Sequence, residues 1–268
     1  MHVRIKVTLA AAAAAALAAA VAAGAPAAPP QGVAKGGTLV FCTDPTYPPE
    51  ESLQGSKPVG SDIDIGAAVA ERLGLKAEWR SVGFDGIIAA LLAKKCDAIL
   101  AGMTDTPERR KQVDFAHYMV VGMSLMVKHG NPHHVTGLAS LSGLRVAVEV
   151  GTTEKDALTA ENKLLAKQHR KLVVIKLFAK DTDAAAALVT GKVDAYFADD
   201  PPVGYYVKKS GGRFEVAADK IQSAPIGIAT RKHDSLGPAV EKAISQLYAN
   251  GTMKAILAKW GLSSFAIR

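Results

Sequence analysis

Residues 97–110 hold the best-placed candidate for chemistry, an arginine at the start of a helix. Ala98-Ile99-Leu100 reads as a short strand with no polar face, so a sheet should cover it on both sides. Ala101 and Gly102 follow, small enough for the backbone to come close to a bound molecule. Thr106 is then placed as a helix N-cap, Pro107 as the first helical residue and Glu108 in the acid-favouring first turn. Arg109 therefore falls beside free backbone N–H groups at a strand's carboxyl end, the usual ligand position of an open α/β sheet. A guanidinium there is a two-pronged fork for a carboxylate. The same spacing also suits an arginine that only decorates a solvated helix start. Asp44 and Tyr47 hang from a loop, Asp44-Pro45-Thr46-Tyr47-Pro48-Pro49, that its prolines keep extended. An Asx-type turn and a surface-packed ring are the alternative roles for these two.

Other chemistries find less support. His129, His133 and His134 cluster around Asn131-Pro132, but no cysteine or carboxylate stands close by at a zinc-type spacing, so no metal site is expected. Gly60 to Gly66 lacks both the glycine spacing and the Lys-Ser/Thr ending of a phosphate loop. No nucleophile sits in an elbow motif. No cofactor is implied.

The elements that must carry these residues alternate between strand and helix. Thr38–Thr43 reads as a strand, Ile65, Val69 and Leu73 as one face of a helix that Gly74 closes, and Lys76–Arg80 as a second strand. A helix over Ile87–Lys95 completes a βαβαβα run, hence a parallel sheet with crossover helices. Phe115–Lys128 is a long extended run that leaves this first lobe. The pattern restarts with a strand at Arg145–Val150, a tight turn Gly151-Thr152-Thr153 and a helix over Glu154–His169. A strand at Leu172–Leu177, a helix at Asp181–Thr190 and a strand at Val193–Ala198 follow, ending in Asp199-Asp200-Pro201-Pro202. Lys220–Thr230 is again extended, and Ser235–Trp260 is helical with a break at Asn250-Gly251. The expected fold is α/β: two Rossmann-like lobes joined by a two-strand hinge, with ligand pockets favoured in the cleft between them. The expected division is lobe 1 over residues 38–120 and 225–268, and lobe 2 over 121–224.

The 268 residues, 49% hydrophobic, suffice for one large or two ordinary domains. The formal charge of +7 is spread among interspersed acids, and aromatics are only 6%, so no nucleic-acid footprint is read from it. His2, Arg4 and Lys6 precede an alanine-dominated run, Val7–Val21, and small residues follow, which together read as an export signal over residues 1–27. Residues 28–37 read as a linker, and a periplasmic protein is expected. Two cysteines in an exported chain invite a disulfide. Cys42 ends one strand and Cys96 precedes another, however, which should leave them several strand residues apart. Two buried free thiols are the expectation.

Six elements in order resemble one family. Asp44-Pro45-Thr46-Tyr47-Pro48-Pro49, Gly60-Ser61-Asp62-Ile63-Asp64-Ile65, Ala101 through Arg109, Gly151-Thr152-Thr153, Gly191 through Asp199, and Asn250-Gly251-Thr252 with Trp260-Gly261 are similar to the signatures of family 3 solute-binding proteins. These are the periplasmic receptors of polar amino acid ABC importers, with the type II periplasmic-binding-protein fold. The resemblance implies that Arg109 clamps a ligand's α-carboxylate, helped by Thr104 and the Thr153 N–H, and that Asp199 takes the α-ammonium with the Gly102 carbonyl. It implies that Tyr47 and Phe84 sandwich the side chain, that Asp44 faces its distal end, and that Ala101 and Thr152 complete the lining. The implied partner is an inner-membrane permease, and the implied state is a non-enzymatic monomer. Departures fall at Ser61, Glu50, Glu51, Ala101 and Asp105. An extra acid could favour a cationic ligand, cap a helix or stay wet. The rival function on the same scaffold is a periplasmic cyclohexadienyl/arogenate dehydratase-like enzyme, whose substrate also carries carboxylates.

Overall fold

The computed structural model describes residues 37–267; the expected export signal and all but the end of the expected linker lie outside them. Strand β1 (Thr38–Thr43) runs into the proline loop and a small hairpin, β2 (Ser52–Gln54) and β3 (Lys57–Val59). Helix α1 (Ser61–Arg72) follows, with Ile65 and Val69 fully buried as the periodicity requires, then β4 (Lys76–Ser81), α2 (Ile87–Leu92) and β5 (Ala98–Ile99). Helix α3 (Pro107–Arg110) is a single turn, capped by the Thr106 hydroxyl accepting from the Arg109 N–H at 3.2 Å.

The chain then leaves on β6 (Val113–Lys128) and returns on β10 (Phe214–Arg231), two long strands that pair antiparallel along most of their length. Between them lie β7 (Arg145–Glu149), α4 (Thr153–Lys167), β8 (Val174–Phe178), α5 (Asp181–Val189), β9 (Ala195–Asp199) and α6 (Asp200–Lys209). Helices α7 (Leu236–Ala249) and α8 (Thr252–Trp260) close the chain against α1. All the long strands form one sheet of eight, in the order β4-β1-β5-β10-β6-β9-β7-β8, so β6 and β10 belong to both halves. Parallel pairs flank them on each side, which is why β1, β5, β7 and β9 read as near-continuous apolar runs.

The cores divide where the two long strands cross. Val121, Ile226 and Ile228 pack with β1, α1 and α7, whereas Met123, Leu125, Ala218 and Ile221 pack with β7 and α4. In the crossing the β10 ladder slips its register between Val216 and Ala224. Asp200, the first residue of α6, holds this loosened segment: its carboxylate accepts from the Gly122 N–H at 3.0 Å, the Lys220 N–H at 3.1 Å and the Ser124 hydroxyl. Gly122 is required there, because a Cβ would stand 2.6 Å from the Lys220 Cα.

Two expectations fail. Cys42 and Cys96 form a disulfide, with Cα atoms 5.6 Å apart. The strand after Cys96 is only two residues long, and the chain bends at Asp97, whose N–H bonds back to the Val40 carbonyl at 2.8 Å. Cys96 is therefore folded beneath β1 instead of extending in line with β5, and distances counted along a straight strand do not apply. No helix is expected after Asp199-Asp200-Pro201-Pro202 either, yet α6 starts there. Prolines in a first helical turn give up N–H groups that have no partner in the helix anyway.

Candidate functional site

One cleft opens between the lobes, at the carboxyl ends of the parallel strands. Every residue named from the sequence lines it: Asp44, Tyr47, Phe84, Ala101, Gly102, Thr104 and Arg109 from lobe 1, and Thr152, Thr153 and Asp199 from lobe 2. The topology dictates this meeting. Asp44 and Tyr47 follow β1, Ala101 and Gly102 follow β5, Thr152 and Thr153 follow β7, and Asp199 ends β9.

Lobe 1 holds its groups by hydrogen bonds that leave little freedom. Asp62, buried at the start of α1, accepts from the Gly102 N–H at 2.9 Å and the Tyr118 hydroxyl at 2.8 Å, which fixes the loop after β5. Burial pushes the Asp62 carboxyl up to about 6 despite these donors. The Arg109 guanidinium donates to the Thr104 carbonyl at 2.7 Å and lies 5.3 Å from the centre of the Phe84 ring. Burial lowers its pKa, and the charges of Glu154 and Asp199 hold it up. Asp44 accepts from the Phe84 N–H at 2.8 Å, so ring and carboxylate are placed together.

The lobes touch across the cleft. The Asp199 N–H donates to the Tyr47 hydroxyl at 3.0 Å, the Asp181 N–H to the Thr46 hydroxyl at 3.3 Å, and Arg109 to the Gly151 carbonyl at 3.1 Å. Gly151 (φ 84°) passes so near Asp85 that a Cβ would stand 3.0 Å from its Cα, which reserves the position for glycine twice over.

Three further residues complete the lining: Glu51, Glu149 and Glu154. Glu154 lies in the first turn of α4 and Glu149 ends β7, so the rule that singles out Arg109 applies to them as well. Glu51 stood out only as a departure from the family pattern. With Asp44 and Asp199 they face a single cation, Arg109, in the lining. Burial raises the pKa of all five acids, most heavily for Glu51 and Asp199. Glu50 is buried beside Glu51 with neither carboxyl oxygen hydrogen-bonded, and burial raises it too.

The profile of the bacterial extracellular solute-binding proteins, family 3, matches residues 39–263. The chain belongs to this family. Among curated family 3 relatives, the histidine-binding periplasmic protein of Salmonella typhimurium is 31% identical over 87% of this chain and 89% of its own. The L-cystine-binding protein TcyJ of Escherichia coli is 29% identical over 85% and 84%. Of the solved structures, an ancestral arginine-binding protein bound to arginine superposes with a TM-score of 0.77 at 36% identity, covering 84% of this chain and 98% of its own. The ancestral amino acid-binding protein AncCDT-1, a precursor of cyclohexadienyl dehydratase, does so with 0.75 at 33% identity, covering 84% and 95%. The family 3 fold is that of type II periplasmic binding proteins, two α/β lobes around a ligand cleft.

The departures from the family 3 signatures fall in different places. Asp105 does not cap a helix and is not in the lining of this cavity: its carboxylate is buried against Arg110 Nε at 2.6 Å and His117 Nε2 at 2.7 Å. Ser61 is buried at the start of α1. Of the histidines clustered around Asn131-Pro132, His129 meets Glu215 at 2.8 Å and His133 meets Asp194 at 3.7 Å.

Proposed function

We propose that the chain is the exported receptor of an ABC importer: it captures a polar L-α-amino acid between its lobes and presents the closed form to an inner-membrane permease. The observation that carries this is the placement of Arg109 on one lobe and Asp199 with Glu154 on the other, facing one cavity. A zwitterion entering that cavity leaves water, and each of its charges must then be paired, because an isolated buried ion costs several kcal/mol. Arg109 and the amino end of α4 supply the carboxylate side, and Asp199 and Glu154 the ammonium side. Closure is then stable when a molecule bridges the halves, which is hinge motion driven by differential affinity. The hinge is the crossing of β6 and β10, gripped by Asp200.

The reading includes a periplasmic, monomeric and non-enzymatic protein. A substrate with two carboxylates and no amine, such as prephenate, would set its second carboxylate against the acids of lobe 2, which weighs against dehydratase chemistry on prephenate. A thermal-shift screen of the common amino acids and prephenate tests it. One or more amino acids should raise the melting temperature and prephenate should not; stabilisation by prephenate alone would sink the receptor reading. Asp199→Asn should weaken the best amino acid far more than its deaminated analogue, and equal losses would remove Asp199 from the ammonium site.

A further inference from the structure

The cavity has two electrostatic ends. Arg109 acts on Glu154, and Glu154 and Asp199 act back on it, so these three form one end. Asp44 and Glu149 form the other, each acting on the other's carboxyl. The members of this second pair come from different lobes: Asp44 follows β1 and Glu149 ends β7. Both are nearly sealed from solvent, at 5% and 4% exposure, and one Glu149 carboxyl oxygen has no hydrogen-bond partner. The other ionisable groups that face the pair are Glu51 beside the proline loop, Asp181 at the start of α5, Glu154 on α4, Tyr206 on α6, and Lys180, whose side chain lies outside the cavity lining. Around Glu149 itself the neighbouring charges are acids.

We propose that Glu149 is a specificity-determining residue which, with Asp44, forms a two-jawed carboxylate clamp for a cationic group at the far end of the ligand's side chain. The inference rests on the amino acid reading above and deepens it, because the Arg109 end already accounts for both charges of the α-carbon. Two carboxylates arriving from opposite lobes suit a planar guanidinium, which offers donors on two edges, better than a neutral amide, which presents an acceptor as well. A neutral side-chain end would leave Glu149 protonated and gain no charge-assisted hydrogen bond from it. Burial beside Asp181 and Asp44 pushes the Glu149 carboxyl up to about 10, so near neutrality the empty clamp carries a proton. A ligand cation takes over the role of that proton, which leaves to solvent. Binding of a cationic side chain is therefore linked to proton release, and binding of its neutral isostere is not.

L-Arginine and L-citrulline differ by the charge at this end and little else. Calorimetry of the mature protein with both, in two buffers of different ionisation enthalpy, tests the proposal. Arginine should bind at least about tenfold to a hundredfold more tightly, the scale of a buried charge-assisted pair, and its apparent enthalpy should change with buffer while that of citrulline does not. In Glu149→Gln, a near-isosteric change, the ratio of the two affinities should fall by about tenfold or more and the buffer dependence should disappear. Wild-type protein that binds both alike, or an unchanged ratio in Glu149→Gln, overturns the clamp while leaving the receptor reading intact. Binding of neither, together with no response to any amino acid in the screen, overturns both.

Discussion

Lobe 1 lends the cleft its rings, its small residues, its guanidinium and two carboxylic acids, Asp44 and Glu51, whereas lobe 2 lends three carboxylic acids, two threonines, the start of a helix and no cation. The lobe 1 groups are pinned: Gly102 to Asp62, Arg109 to the Thr104 carbonyl, Phe84 to Asp44. The lobe 2 acids crowd one another, with Asp181 behind Glu149 and Glu154 against Asp199, and each is held toward its protonated form. One half thus brings the cation together with its acids, and the other brings acids alone, which need positive charge from across the cleft or from a ligand to settle. That asymmetry explains how a cleft can close firmly on a ligand and still open without it. The free energy that closes it comes from pairing the ligand's charges with groups of both lobes.

Removing the cation that faces those acids is the strongest way to break the contrast. Arg109→Ala should weaken binding of the preferred amino acid by about 3–5 kcal/mol, because the ligand carboxylate would be buried without a partner and close to Glu154 and Asp199. Calorimetry reads this directly, and an unchanged affinity would take Arg109 out of the site.

The cross-link comes next, and it belongs to one lobe. Cys42–Cys96 ties a loop of 54 residues within lobe 1, and lobe 2 has no cysteine. Reducing it, or the double change Cys42→Ala and Cys96→Ala, should cost lobe 1 about 2–4 kcal/mol. Hydrogen exchange should show loss of protection in β1, β4 and β5 ahead of β7 and β8. Equal loss in both halves would mean that the two cores do not behave as separate units.

How these residues came to be legible, or not, follows the same physics. Arg109, Thr106 and Pro107 could be read because capping and proline rules act within one turn, and β1, β6 and β7 because burial on both faces leaves an apolar run. The crossing was visible as two long extended stretches, and Asp199 as the end of a strand. Glu149 and Glu154 sit at equivalent positions, a strand end and a first helical turn, yet acids there also suit plain solvation and a helix dipole. Only the opposing lobe, more than 90 residues away in sequence for the Asp44–Glu149 pair, turns them into a site. Cys96 misled for the opposite reason, since the bend at Asp97 is a local detail that no periodicity announces.

Titration sharpens the contrast with a smaller effect. Asp181 is held up to about 8 and Asp62 to about 6, both from an ordinary 3.8, chiefly by burial. The native state therefore keeps protons that the unfolded chain has already released. Between each pair of values stability falls as pH rises, and it is fully present below the lower one. Ligand-free protein should lose on the order of 2–3 kcal/mol of stability from these two groups between pH ~6 and pH ~8, most of it from Asp181, the slope easing as pH passes each folded value. Urea midpoints across that range test the sign. Asp181→Asn should flatten the upper part of the curve, and a stability that rises with pH would contradict the protonated state of lobe 2.

Tyr47 is where the two halves touch. Its ring belongs to a buried cluster otherwise built from lobe 2 side chains, Tyr196 and Val203 among them, while its hydroxyl accepts from the Asp199 N–H. Tyr47→Phe keeps the ring and removes one interlobe hydrogen bond, a net effect of about 1 kcal/mol. Because the bond exists only when the lobes are together, the loss should fall on the closed state and appear as faster ligand release, about fivefold, with the association rate little changed. If release is unchanged and association slows instead, the hydroxyl acts on the open form, and closure must draw on the acids of lobe 2 and the ligand alone.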